Sequence, residues 1–166
     1  MRRMKRTAFW AVAAFCAAVI GSLPLGHGAA QPAIQSANAV CRIQGSGDLV
    51  RPDDRCTPGA FDQLSKAAVC RHKQRPSLPD AERRRILSQY GFRSWTGRDG
   101  ELDHRVPFFM GGRTVEDNLW PEAGAIPNEK DKLERRVWER VCVDGTMTVG
   151  EGRAVFLGDW TKGVGA

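Results

Sequence analysis

ELDHRVPFFMGGRTVEDNLWPEAGAIPNEKDKLERRVWERVC, residues 101–142, is the stretch from which a fold can be read. Helical periodicity is absent from 93 to 127, where Gly97, Gly100, Gly111, Gly112 and Gly124 punctuate short segments. The best strands in that interval are 101–106 and 118–121, each bounded by turn residues. From Asn128 the period changes. Leu133, Val137 and Val141 recur every four residues with Trp138 beside them, which predicts an amphipathic helix. Asp131 and Arg135 are spaced for an exposed i,i+4 ion pair on it.

Working outward, Thr57-Pro58 reads as a cap followed by proline at the first helical position. Phe61, Leu64, Ala68 and Val69 then share a face, predicting a helix to about residue 72. Two prolines, Pro76 and Pro79, break it. Ser77 and Asp80 have the spacing of a capping pair, Ile86, Leu87 and Tyr90 line a second helix, and Gly91 ends it. On the far side, Thr148 and Glu151 form a capping box before a last helix with Phe156, Leu157 and Trp160 inward. The order helix, helix, strand, strand, helix, helix is α+β with a small antiparallel hairpin. Residues 31–56 are polar and rich in Gly and Asp, which predicts an extended, disordered lead-in. Trp95, Trp120, Trp138 and Trp160 read as core rather than as platforms for bases.

The chain has 166 residues, enough for one core and too few for two. Its formal charge of +6 shrinks on inspection. Residues 1–30 hold Arg2, Arg3, Lys5 and Arg6 and no acid, so removing them leaves 21 basic against 19 acidic residues. That removal is expected, because a basic start, an apolar run from Ala8 to Ile20 and a small-residue exit form a signal-peptide pattern. Cleavage fits after Ala30 or after Ala39. The run is shorter than the ~20 apolar residues a membrane span needs. A secreted or periplasmic address follows, with no stable membrane insertion after processing. Nothing in the sequence fixes an oligomeric state.

Four cysteines remain in the exported chain, Cys41, Cys56, Cys70 and Cys142, and an oxidising compartment favours two disulfides. Three connectivities are possible. Cys70 ends the first predicted helix and Cys142 ends the helix that begins near Asn128, so topology favours joining them. Cys41 and Cys56 then pair by exclusion.

Chemistry concentrates at Asp103-His104. Adjacent residues of a strand point to opposite faces, so one can bind a metal while the other reaches a different side of a substrate phosphate. The only other histidine after the signal, His72, sits at the polar end of a predicted helix and reads as structural.

The ordered set Glu101–Pro107, Gly111-Gly112, Asn118-Leu119-Trp120-Pro121 and Asn128 to Glu134 resembles the HNH endonuclease family, and within it small exported members. Those carry an Asn-Leu-Trp-Pro segment and a Lys-Asp-x-x-Glu helix, here Lys130 to Glu134. The resemblance spans roughly residues 57–161. It implies a ββα-metal core, hairpin then helix, flanked by further helices, in a nuclease domain of residues 57–166. It also implies that His104 is the general base that activates water. Asp103 would bind the divalent cation, Asn118 would tie the loop and orient the histidine, and Asn128 would be a metal ligand on the helix.

Physical chemistry supports such a set. A neutral imidazole takes a proton near pH 7, and a cation offsets charge gathering on phosphate oxygens. One carboxylate plus one amide oxygen suits Mg²⁺ or Mn²⁺, which keep waters. Segment 71–105 holds nine Lys and Arg against five acids. Arg98 and Arg105, with nearby Arg113, are the expected contacts to backbone phosphates. The expected activity is metal-dependent endonuclease cleavage of nucleic acid, with DNA favoured over RNA. The rivals are a non-catalytic module of the same fold that binds nucleic acid or protein, and a disulfide-stapled envelope protein.

Overall fold

The computed structural model describes residues 39–71 and 76–164. The expected signal peptide, residues 1–30, and His72 lie outside the described residues. Four strands form two antiparallel hairpins: β1 (Gln44–Ser46) with β2 (Leu49–Arg51), and β3 (Gly100–His104) with β4 (Leu119–Ala123). Helices α1 (Lys66–Val69) and α2 (Asp80–Gln89) lie between the hairpins in sequence. After β4 come α3 (Glu129–Trp138), a π turn at Glu139–Val143, α4 (Val149–Leu157) and a 3₁₀ turn at Trp160–Gly163. This is the expected α+β class. None of the described helices is long and apolar enough to cross a membrane.

The α3 helix forms where its sequence pattern puts it. Leu133, Val137 and Val141 are all buried, and they pack with Val106, Met110, Phe156 and Trp160 in one core cluster. Asn128 accepts a hydrogen bond from the Asp131 N–H while Asp131 accepts one from the Asn128 N–H, closing a capping box. Asp131 is thereby a cap rather than the expected surface partner of Arg135. Thr148 and Glu151 close the predicted box on α4.

Trp138, expected in the core, is exposed, and three further expectations are corrected. The lead-in is folded: β1 and β2 pair within it, Cys41 and Val50 are buried, and both pack with Leu87, Tyr90, Phe92 and Trp120 in a second cluster. The first helix shrinks to Lys66–Val69 because Thr57 spends its hydroxyl elsewhere. That hydroxyl lies 2.7 Å from the Tyr90 hydroxyl and donates to the Leu119 carbonyl at 3.3 Å, and Phe61 forms a β-bridge with Gly112. Finally, α2 is preceded by Pro79 at the cap position, with no side-chain cap hydrogen bond, so Ser77 and Asp80 do not form a capping pair.

Both disulfides join the expected partners, Cys41 to Cys56 and Cys70 to Cys142. The first closes the folded lead-in. The second ties the end of α1 to the π turn that continues α3.

Candidate functional site

The β3–β4 ladder pairs Glu101 with Glu122, Asp103 with Trp120 and His104 with Leu119. Pleating therefore puts Glu101, Asp103 and Glu122 on one side and His104 on the other.

On the histidine side, His104 is 3% exposed and its Nε2 lies 2.9 Å from the Thr114 hydroxyl. The Phe108 ring tilts against the imidazole at 5.8 Å. Thr114 in turn lines a cleft of about 240 Å³ together with Arg113, Asp62, Leu64 and Phe108. The loop between histidine and cleft is held by Asn118, which is fully buried. Its amide oxygen accepts from the Val106 N–H at 2.8 Å, and its Nδ2 donates to the carbonyls of Val106 and Arg113 at 3.0 Å each. Gly111-Gly112 permits this closure. Gly111 has φ +93°, and a Cβ on Gly112 would sit 1.8 Å from the Val106 carbonyl oxygen.

On the carboxylate side, carboxylate oxygens of Glu101, Asp103 and Glu122 all lie within 4.8 Å of one another. Lys130, from the first turn of α3, is 1% exposed; its ammonium donates to Asp103 and, at 2.5 Å, to Glu134. Burial and the neighbouring charge of Asp103 push Glu122 well above the usual carboxylate range, and in its protonated form it donates to Asp103. The Oε1 of Glu122 is buried with no hydrogen-bond partner among the described residues, which also favours the neutral form. Asp103 moves the other way. Burial opposes its charge, but Lys130 and the Glu122 hydrogen bond keep it below its ordinary value. Glu134 is pushed up to about 7 by burial, against the pull of Lys130.

The structure thus places Asp103 and His104 on opposite faces, as expected, with Asn118 bracing the loop. It does not offer Asp103 and Asn128 as a metal pair. Asp103 carries the lysine ammonium, and the Asn128 amide oxygen caps α3. A divalent cation beside an ammonium on the same carboxylate meets strong repulsion, so these two residues do not fit one in this arrangement.

The three arginines separate as well. Arg105 is 6% exposed and donates to the Thr57 carbonyl at 2.7 Å and to the Leu157 carbonyl, with Asp54 Oδ1 at 2.6 Å. It is a tie across the fold, not a phosphate contact. Arg98 is exposed but belongs to the turn before β3, at the opposite end of the strand from His104. Arg113 remains on the cleft wall next to Thr114, exposed to solvent. The sequence reading missed Thr114, Glu122 and Lys130. For Glu122 a signal existed, since a carboxylate two residues after Trp120 in a short buried strand must share that strand's face.

No family model, curated protein or solved structure matches this chain.

Proposed function

We propose that the chain is an exported HNH-type nuclease that hydrolyses phosphodiester bonds of nucleic acid, DNA in preference to RNA, with His104 as general base. The observation that carries this reading is the Asn118 clamp beside His104, which fixes the loop between the imidazole and the cleft on a hairpin followed directly by a helix. Strand, strand, helix is the order the HNH resemblance calls for, and the two disulfides are compatible with an oxidising compartment.

In this reading the neutral imidazole of His104 takes a proton from the attacking water. Thr114 is the group through which Nε2 meets the cleft, and its hydroxyl fixes the ring's orientation. Arg113, on the cleft wall, neutralises charge on the phosphate. Asn118 does not touch substrate; it is a positioning residue.

A second reading, a non-catalytic module that binds nucleic acid or a protein, is favoured by one observation. Lys130 and the helix cap engage the two residues expected to hold the metal. Incubating the purified oxidised chain with plasmid or RNA, with Mg²⁺, with Mn²⁺ or with chelator, separates the two. The nuclease reading expects cleavage that falls about 10²–10⁴-fold in His104→Ala. Retarded migration of plasmid with no cleavage in any arm would favour the binding module.

A further inference from the structure

We infer that the ammonium of Lys130 is the built-in cation of the carboxylate cluster beneath the β3–β4 hairpin, and that the native chain binds no divalent metal there. This stands apart from whether His104 cleaves anything. Four observations converge on it.

Lys130 ranks among the largest fully buried side chains, and a lysine is almost never fully buried unless paired. Its position is costly in another way. It lies two residues after the cap of α3, where the exposed N–H groups and the helix dipole disfavour positive charge. Something must compensate, and the compensation is visible: Asp103 and Glu134 accept its hydrogen bonds, and the Phe156 ring lies 5.6 Å away. The third observation is geometric. Asp103, which also belongs to the trio of carboxylates close enough to share an ion, is the one the ammonium has taken. The fourth is the cap: Asn128 is committed to α3 by reciprocal hydrogen bonds with Asp131.

Removing the ammonium should therefore uncover a metal site rather than merely damage one. Lys130→Ala would leave Asp103, Glu122 and Glu134 without their cation and open a space the length of a lysine side chain. The carboxylate oxygens of Glu101, Asp103 and Glu122, all within 4.8 Å of one another, would then have room for water beside them, a set that suits Mn²⁺.

The test is calorimetric titration with MnCl₂ and thermal unfolding with and without EDTA, on the full oxidised chain. Wild type is expected to take up no Mn²⁺ and to melt at the same temperature in either condition. Lys130→Ala is expected to bind one Mn²⁺ per chain and to gain on the order of 5 °C from it at saturating metal. Lys130→Arg, which keeps the charge, should stay blind to Mn²⁺. Wild-type uptake of one Mn²⁺ per chain, abolished by Glu122→Gln, would overturn the inference. So would a Lys130→Ala chain as stable as wild type and indifferent to Mn²⁺. Should that variant fold only with Mn²⁺ present, the inference is supported; should it not fold at all, the wild-type titration decides.

Discussion

Asp53, in the N-terminal hairpin region, and Glu122, under the central hairpin, are equally buried at 3% exposure, yet they are driven to opposite ionisation states. Asp53 is held down to about 2, first by the Arg55 side chain and then by the backbone N–H groups of Arg55 and Arg42, with burial opposing. Its four accepted hydrogen bonds run from 2.8 to 3.1 Å. Glu122 is pushed up first by burial, since it lies deeper below the surface than Asp53, and then by the neighbouring Asp103 carboxylate, while Lys130 serves Asp103 and Glu134 first. Exposure alone therefore does not set the charge of a carboxylate. What decides, beyond depth, is whether donors aimed at the ionised form outnumber the acids that compete for them. The first region is over-supplied with donors, while the second rations one ammonium among three acids.

Each region is also closed by its own disulfide, and cutting them is the largest test of how independent the two are. In the chain-entropy argument, a loop spanning 72 residues, Cys70 to Cys142, stabilises by about 4 kcal/mol. The loop of separation 15, Cys41 to Cys56, contributes about 3 kcal/mol. Paired Cys→Ser variants, compared by urea unfolding, should lose stability in that order. Because Cys41 and Val50 pack with Trp120 of β4, both variants should unfold in one transition. A separate early transition of the N-terminal hairpin would break the comparison, by showing a region that folds apart from the rest.

Asp53→Asn probes the donor-rich side. The substitution keeps the shape but turns one accepting oxygen into a donor that faces N–H groups. A buried hydrogen-bonded charge lost in this way costs about 1–3 kcal/mol. The sign with pH follows from the lowered value. The stabilisation is fully present above the ordinary value of 3.8 and is lost as pH falls through about 2. Wild type and variant should therefore differ in urea midpoint at pH 6 and converge near pH 2. An undiminished gap at pH 2 would mean that packing, not charge, ties down the turn.

The same contrast explains what could be read from the sequence. The central hairpin, α3, the α4 cap and the cysteine pairing rest on local patterns: periodicity, capping spacing and where helices end. His104 was legible because strand alternation is local too, whereas the role of Asn118 came only with the HNH resemblance. The folded lead-in was not, since strands of three residues carry almost no period, and their burial depends on Leu87, Tyr90 and Trp120 far along the chain. Thr57 was misread for a related reason: its hydroxyl serves Tyr90 and Leu119 rather than a helix. Lys130 was visible as part of a charged run on α3, but its complete burial is imposed by the hairpin and Phe156 packing over it. Tertiary packing assigned Lys130 and Arg105 to the interior against everything their residue type suggests.

The finest test concerns the slope of stability with pH. Between its ordinary value of 4.5 and its raised value of about 7, Glu134 holds more proton in the folded chain than in the unfolded one. Glu122 shifts in the same direction, with Asp103, Lys130 and Asp131 the charged groups bearing on the pair. Stability from these two acids is thus fully present below pH 4.5 and is lost as pH rises, through about 7 in the case of Glu134. Asp53 and Asp103, both lowered, act oppositely and supply their share above 3.8. The two trends cross, so the chain should be most stable at mildly acid pH. From pH 5 to pH 6 the expected loss is ~1 kcal/mol for each extra proton the folded state must release. Urea midpoints at pH 4.5, 5.5 and 6.5 measure it. Glu134→Gln should flatten this descending limb, and Asp53→Asn should leave it unchanged. If wild-type stability instead climbs steadily from pH 4.5 to 6.5, the single ammonium holds Asp103, Glu122 and Glu134 ionised together. Donor-poor burial would then no longer distinguish the second region from the first.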